Sequence, residues 1–173
     1  MDINNYVILD LETTGLKPDE SEITEVGILE VKDGKITNRY DQLCSVSSPL
    51  PDNIVEITNI TDEMLAGKPS FKSIIPDVLN FIDDRTIVGH NIHFDLDFLE
   101  YHINKAKFLE KNITFRCVDT LKLSYKYMPK MRSYKLEALK KYFDINIESH
   151  RAINDCEITK ELFDHILKLT KKI

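Results

Sequence analysis

The hydrophobic pattern at the start of the chain predicts a buried β-strand that carries two carboxylates. Residues 6–11 are apolar except at Asp10, and side chains two residues apart share one face of a strand. Apolar side chains therefore fill both faces, which is typical of a central strand covered on each side. Asp10 and Glu12 extend the face of Tyr6 and Ile8, so an acidic pair is expected at the end of this strand.

The pattern after this strand predicts alternating strands and helices. Four more strands are expected, at residues 23–31, 36–46, 86–88 and 113–118. Asp33-Gly34 is predicted to form the hairpin turn between the second and third strands. Short helices should follow a loop at residues 49–51, one of them kinked or divided by Pro76. Longer helices are expected at about residues 94–106 and 152–171. Three antiparallel strands followed by strand–helix units indicate an α/β fold with a mixed sheet.

Two acidic residues of the long helices are predicted to face the core. Asp95 shares a helix face with Phe98 and Leu99, whereas Asp97 lies on the opposite, polar side. Asp155 lies on the apolar face of the last helix. A buried ionised carboxylate is costly unless it is paired, protonated or bound to metal. Because basic residues are scarce beside these acids, hard divalent cations are their predicted partners.

His150 adds a proton acceptor to this acidic set. It precedes Asp155 by five residues, which on a regular helix would place it about 140° away. The helix is therefore expected to begin near Arg151, with His150 on the preceding loop. A histidine with a pKa of about 6.5 is well suited to accept a proton from metal-bound water.

Three separated segments resemble the exonuclease motifs of the DEDDh 3′→5′ exonucleases. They are Asp10-Leu11-Glu12-Thr13-Thr14-Gly15-Leu16, Gly89-His90-Asn91 with Asp95, and His150-Arg151-Ala152 with Asp155. Segments 50–61, 118–121 and 133–139 are similar to the exonuclease of bacterial DNA polymerase III, either its epsilon subunit or the domain within PolC. Two positions depart from that branch. Asn59 stands where glycine is common, but asparagine tolerates the left-handed conformation that a turn glycine supplies. Cys156 stands where alanine is usual and is expected to be a small buried residue.

The resemblance implies both a fold and a mechanism. The fold would be RNase H-like, an α/β structure with a mixed five-stranded sheet and helices on both faces, formed by residues 1–173 as a single exonuclease domain. Two divalent cations, Mg²⁺ or Mn²⁺, would cleave nucleoside 5′-monophosphates from DNA 3′ ends. The implied metal ligands are Asp10, Glu12, Asp95 and Asp155, with Asp95 acting through water, and His150 would deprotonate the attacking water.

The resemblance also implies residues that hold the substrate. The backbone at Thr13 would contact the terminal 3′-hydroxyl, Leu16 would wedge against the terminal base, and Phe94 would stack on it. His90 and Asn91 complete this predicted set. The spacing of His90 and His93 superficially suggests zinc, but no cysteine pair or second histidine pair accompanies it.

Other acids and hydroxyls near predicted helix starts have a simpler interpretation. Asp119, Asp62 and Ser133 are predicted to be helix caps rather than catalytic residues.

Composition limits how the chain is expected to meet its substrate. At 173 residues, with 42% hydrophobic residues and three widely spaced cysteines, a single cytoplasmic domain with reduced thiols is expected. The net charge of −6 argues against tight unassisted binding to nucleic acid, so a polymerase could deliver a single-stranded or frayed 3′ end. The sequence is compatible with a free-standing enzyme and with a domain excised from a longer protein. Two alternative functions are an exoribonuclease of the same fold and a non-catalytic nucleic-acid-binding module.

Seven basic residues cluster between the predicted fifth strand and the third motif. They are expected to form either a basic strip near the 3′ end of the bound nucleic acid or an ordinary solvated helix face. The seven residues are Lys122, Lys126, Lys130, Arg132, Lys135, Lys140 and Lys141.

Overall fold

The computed structural model describes residues 4–109 and 113–170, and within them a five-stranded mixed sheet organises the fold. The strands are β1 (Asn5–Thr13), β2 (Ile23–Lys32), β3 (Lys35–Leu43), β4 (Thr86–Gly89) and β5 (Cys117–Asp119). Their order across the sheet is β3-β2-β1-β4-β5. β2 pairs antiparallel with β1 and β3, whereas β4 runs parallel to both β1 and β5. The predicted mixed sheet with β1 at its centre is confirmed.

Helices follow the hairpin strands and cover the sheet. They are α1 (Asp52–Thr58), α2 (Asp62–Leu65), α3 (Phe71–Ile82), α4 (His93–Lys105), α5 (Thr120–Tyr127), α6 (Leu136–Tyr142) and α7 (Ala152–Thr170). α4 and α7 lie within a residue of their predicted bounds, except that residue 171 is outside the described part of the chain. No helix of the described residues is both long enough and apolar enough to cross a membrane.

The two faces of β1 pack against different helices, as its apolar pattern predicts. Val7, Leu9 and Leu11 belong to a core shared with α3 and α4. Tyr6 and Ile8 belong to a second core shared with α7. Asp10 and Glu12 continue that second face, so they point toward the start of α7.

Several element ends differ from the predictions because distant groups decide them. β1 continues to Thr13, since Glu12 still pairs with Glu25 of β2. β3 stops at Leu43 rather than 46, and Ser45 forms a separate bridge with Ser70. β5 begins only at Cys117.

Pro76 does not divide α3. Pro76 and Lys72, the residue whose carbonyl it leaves without a helical partner, are both exposed, so water can replace the lost hydrogen bond.

The capping predictions are partly confirmed. The Asp119 side chain accepts the Leu121 N–H at 2.9 Å and caps α5. Thr61, rather than Asp62, caps α2, and Ser133 accepts the Lys135 N–H in a turn before α6.

Two predictions about single residues also agree with the structure. Asn59 ends α1 in the left-handed region with φ of 55°, and Cys156 is fully buried. The three cysteines are free thiols.

Candidate active site

Three carboxylates from β1 and α7 converge where the C-terminal end of β1 meets the start of α7. Asp10 and Glu12 project from one face of β1, and Asp155 lies in the first turn of α7. One oxygen from each lies within 4.8 Å of the others. The convergence that the sequence predicts for these three residues is therefore present.

Asp95 lies behind this group and joins α4 to β1. Its side chain is 5% exposed, and Oδ1 accepts the backbone N–H of Leu11 at 3.0 Å. Because Leu11 separates Asp10 from Glu12, this bond holds α4 against the strand at the point where the acids emerge. Asp95 faces inward and Asp97 is exposed, as predicted, but Asp95 lies outside the group of three.

Burial and mutual repulsion make these carboxylates unusually weak acids. Burial raises the pKa of Asp10 well above its ordinary value, and the neighbouring charges of Asp95 and Asp155 raise it further. Burial, followed by the charge of Asp155, raises the pKa of Glu12 to about 8. Burial raises the pKa of Asp95 to about 8, against the Leu11 hydrogen bond, which lowers it. Burial raises the pKa of Asp155 to about 6.

The donor set fits a hard divalent cation. Oδ1 of Asp155 is buried and has no hydrogen-bond partner among the described residues, while Oδ2 accepts the backbone N–H of His150 at 3.2 Å. A buried carboxylate oxygen without a donor is costly. A cation bound by clustered carboxylate oxygens removes this cost and the repulsion together.

Glu25 is a residue beside the site whose contacts the sequence analysis missed. It lies opposite Glu12 on β2 and is fully buried. Both of its oxygens accept hydrogen bonds from Nε of Arg151, at 3.0 and 3.1 Å, and Oε2 also accepts the Ala152 N–H at 3.0 Å. The available signal was an acid within the apolar run of β2. Glu25 therefore anchors Arg151 and satisfies a backbone N–H at the start of α7.

His150 lies on the loop before α7, as predicted. It is exposed and adopts the left-handed conformation with φ of 68°. Its backbone N–H donates to Oδ2 of Asp155 at 3.2 Å, so the residue lies beside the acids. The backbone bond to Asp155 fixes this turn, while the side chain remains open to solvent.

The predicted substrate residues differ in how available they are. Leu16 is 84% exposed, whereas Thr13 is buried and its hydroxyl donates to the Gly15 carbonyl at 2.7 Å. Phe94 is half-buried, and its ring centroid lies 5.0 Å from that of Phe98. Leu16 is therefore the side chain among these that is best placed to meet a ligand.

The His90-Asn91 segment is held by the protein itself. The ring nitrogens of His90 lie 2.9 Å from Thr120 Oγ1 and 2.9 Å from the carbonyl oxygen of Tyr134. Asn91 is exposed, with φ of 61°, and its N–H donates to Asp119 at 3.0 Å. The side chain of His90 thus supports the loop that presents Asn91.

Comparisons with known proteins identify relatives that match nearly the whole chain. A DNA polymerase III of the PolC type from Thermotoga petrophila is 37% identical over 169 residues, which are 97% of the chain but only 12% of that protein. The epsilon subunit of DNA polymerase III from Aquifex aeolicus is 30% identical over 164 residues, 94% of the chain and 80% of the subunit.

A solved structure of an exonuclease has a similar fold. Exonuclease X in complex with 5′ overhanging duplex DNA matches with a TM-score of 0.75 and 29% identity, covering 96% of the chain and 93% of that protein. The family model described as Exonuclease matches residues 7–163. The resemblance to the DEDDh exonucleases and the RNase H-like fold are confirmed, and the chain belongs to the exonuclease family of enzymes that hydrolyse nucleic acids.

Proposed function

We propose that residues 1–173 act as one domain that removes nucleoside 5′-monophosphates from DNA 3′ ends. The observation that carries this proposal is the group of Asp10, Glu12 and Asp155, with the buried, unpartnered oxygen of Asp155. The family assignment supplies the reaction class. The relatives named for DNA polymerase III, and an exonuclease solved with DNA, favour DNA over RNA.

Asp10, Glu12 and Asp155 would hold one Mg²⁺ or Mn²⁺, and Asp10 with Asp95 would serve a second. When bound, such a pair of cations stabilises the charge on the attacking and leaving oxygens of an in-line phosphoryl displacement. The buried site keeps the carboxylates close together and partly excludes water, which strengthens their attraction for a cation.

His150 would accept the proton of the attacking water. Its exposed side chain, on a loop that a backbone hydrogen bond to Asp155 fixes, supports this role. The exposed Leu16 would lie against the terminal base, and Thr13, Asn91 and Phe94 would orient the end of the strand. His90 would act indirectly, through the loop that it supports.

The net charge of −6 suits an enzyme to which the 3′ end is delivered. Phosphate contacts supply most nonspecific affinity for DNA, and an acidic chain binds weakly alone. We propose a cytoplasmic role in proofreading or repair, with a polymerase as partner.

A degradation assay tests the proposed reaction. Labelled single-stranded DNA and RNA of matched sequence are incubated with Mg²⁺, and the products are resolved by length. Wild type should shorten DNA stepwise from its 3′ end. His150→Gln should lose about 10²–10⁴-fold in rate, the usual contribution of a general base, and Asp10→Asn and Asp95→Asn should lose at least as much.

Asp97→Asn is the matched control, because Asp97 lies on the exposed side of the same helix as Asp95. It should cleave at the wild-type rate. Full activity in Asp10→Asn would contradict the proposal, and faster digestion of RNA would reassign the substrate.

A further inference from the structure

A groove beside the His90-Asn91 loop lies between α5 and the segment before α6. It has a volume of about 580 Å³, and its lining includes Asn91, Tyr125, Arg132, Tyr134 and Lys135. The groove is separate from the three converging carboxylates.

Two tyrosines form an aromatic platform in this groove. The ring centroids of Tyr125 and Tyr134 are 4.4 Å apart with an interplanar angle of 46°. The hydroxyl of Tyr134 donates to the Pro129 carbonyl at 3.1 Å and accepts the Met131 N–H at 3.2 Å. Tyr134 is thereby fixed, while Tyr125 is 64% exposed. An exposed ring backed by a fixed one offers a face on which a nucleobase can stack regardless of its identity.

The positive charges around this platform are free of carboxylate partners. Arg132 and Lys135 are exposed. Neither forms an ion pair within residues 4–109 and 113–170, nor do Lys122, Lys126 and Lys130.

Lys140 differs from them, since its ammonium group contacts Glu137 and Ser149. In a chain of net charge −6, a local group of cations without carboxylate partners beside the exposed Tyr125 is complementary to a polyanion that carries aromatic bases.

The His90-Asn91 loop, which lines the groove, leads directly into α4, the helix that carries Asp95. Asn91 lines the groove and lies four residues before Asp95. Its N–H donates to Asp119, the residue that caps α5. His90 connects the same loop to Tyr134 through the Tyr134 carbonyl. A strand that ends at the carboxylates can therefore pass along Asn91 into the groove.

We propose that this groove binds the single-stranded part of the substrate upstream of its 3′ end, with one base stacked on Tyr125 and phosphates contacting Arg132 and Lys135. The inference rests on the proposed function and deepens it, because it locates the strand that leads to the cleavage site. The strip of basic residues then acts in substrate binding instead of being a solvated helix face.

Equilibrium binding without cleavage tests this inference. Fluorescence anisotropy in a metal chelator compares oligothymidylates of about 4 and about 15 nucleotides, a range that spans typical single-strand sites. Tyr125→Ala should weaken binding of the longer oligonucleotide by about 5- to 150-fold, the loss typical of one stacked base. Binding of the shorter one should change by less than about twofold, since it need not reach the groove.

Two controls separate stacking from general effects. Tyr125→Phe keeps the ring and should bind as wild type does. Tyr142→Ala removes another half-exposed tyrosine, on α6 and beside Phe143, and should not weaken binding. Equal losses in Tyr125→Ala and Tyr142→Ala, or equal losses for both lengths, would overturn the proposal.

Salt dependence tests the charges independently. The double substitution of Arg132 and Lys135 by alanine should flatten the plot of log affinity against log salt by about 0.7 for each phosphate that the protein no longer neutralises. The same change at Lys68 and Lys168, which are exposed elsewhere, should leave the slope unaltered.

An unchanged slope in the first pair would overturn the proposed phosphate contacts of Arg132 and Lys135. Since binding is measured without cleavage, this result is independent of whether Asp10→Asn abolishes digestion.

Discussion

Glu25 and Arg151 form the buried ion pair that supports the active-site turn. Glu25 is completely buried and binds the guanidinium through both oxygens. Its additional bond to the Ala152 N–H means that one carboxylate holds both the residue after His150 and the first residue of α7. The geometry of His150 and Asp155 therefore depends on a side chain that lies on another strand.

Glu25→Gln should destabilise the protein and slow the reaction. The substitution keeps the size of the side chain but removes its charge, and a hydrogen bond to a charged group contributes about 1.5–3 kcal/mol. Urea denaturation should show a loss of that order, because Arg151 is only about one-third exposed. Digestion should slow as well, since the turn that carries His150 is no longer held.

Glu157→Gln is the control for this experiment. It removes one carboxylate from the more exposed pair with Arg39, and such surface pairs contribute about 0–1 kcal/mol. If the two variants lost the same stability, or if Glu25→Gln digested DNA at the wild-type rate, Glu25 would not support the turn.

Facing patterns in the sequence identify the acids but not their partners. Periodicity of 2 in β1 and about 3.6 in the helices correctly orients Asp10, Glu12, Asp95 and Asp155. The same reasoning does not identify Glu25, because its position beside the site depends on how β1 and β2 are aligned in the sheet. The pairing of Glu12 with Glu25 depends on the loop between β1 and β2 and on the shift in register between Glu12 and Thr13. Local sequence does not determine either of them.

At the level of elements, the site depends on the close contact between β2 and the start of α7. Gly27 lies opposite Asp10 in the sheet. A β-carbon at Gly27 would lie 2.5 Å from the carbonyl carbon of Ala152 and 2.6 Å from the nitrogen of Ile153. Only glycine lets the helix backbone approach this closely, and this approach brings Asp155 to Asp10 and Glu12.

Gly27→Ala should therefore impair catalysis more than its effect on stability would suggest. The new methyl group must push α7 away, and overpacking of this kind costs about 1–3 kcal/mol. A displacement of about 1 Å at a catalytic group can cost about 10²-fold in rate. Thermal melting and initial digestion rates measured on the same preparation would check both effects.

Gly34→Ala provides a matched glycine substitution away from the site. Gly34 lies in the hairpin turn with φ of 74° and has open space around it. Alanine there should cost about 1 kcal/mol through backbone strain while leaving the digestion rate unchanged. Equal rates in the two variants would show that α7 tolerates displacement from β2.

Elements with strong local patterns were predicted well, whereas those ended by distant contacts were not. The Asp33-Gly34 turn adopts positive φ at both residues, as its sequence predicts. The expected start of β5 at residue 113 was wrong. The N–H groups of Ile113 and Phe115 donate to Asn104 and Glu100 of α4 instead of a neighbouring strand. The sequence does not reveal this competition, because it depends on how α4 packs.

Across the whole molecule, the carboxylates of the acidic site oppose folding when they are ionised. The pKa values of Glu12 and Asp95 are raised to about 8 and that of Asp155 to about 6, whereas unfolded carboxyl groups titrate near pH 4. The folded protein therefore holds these protons more tightly than the unfolded chain does. The stabilisation from this difference is complete below about pH 4 and is lost as pH rises through about 8.

Without metal, the melting temperature should therefore fall between pH 5 and pH 8.5, and Mg²⁺ should reverse the fall. Metal binds the deprotonated carboxylates, so the melting temperature gained on adding Mg²⁺ should grow with pH. At 100 times the dissociation constant, the gain corresponds to about 2.7 kcal/mol. Differential scanning fluorimetry in chelator and in Mg²⁺, across this pH range, measures both curves.

Asp10→Asn shows whether the acidic site causes this behaviour. Removing the central charge should raise the melting temperature in chelator at pH 8, because repulsion among the remaining acids is reduced, and should diminish the gain from Mg²⁺. Asp97→Asn, on the exposed face of α4, should follow the wild-type curves. A wild-type melting temperature that stays level with pH in chelator, or an undiminished Mg²⁺ effect in Asp10→Asn, would show that these carboxylates do not couple folding to metal binding.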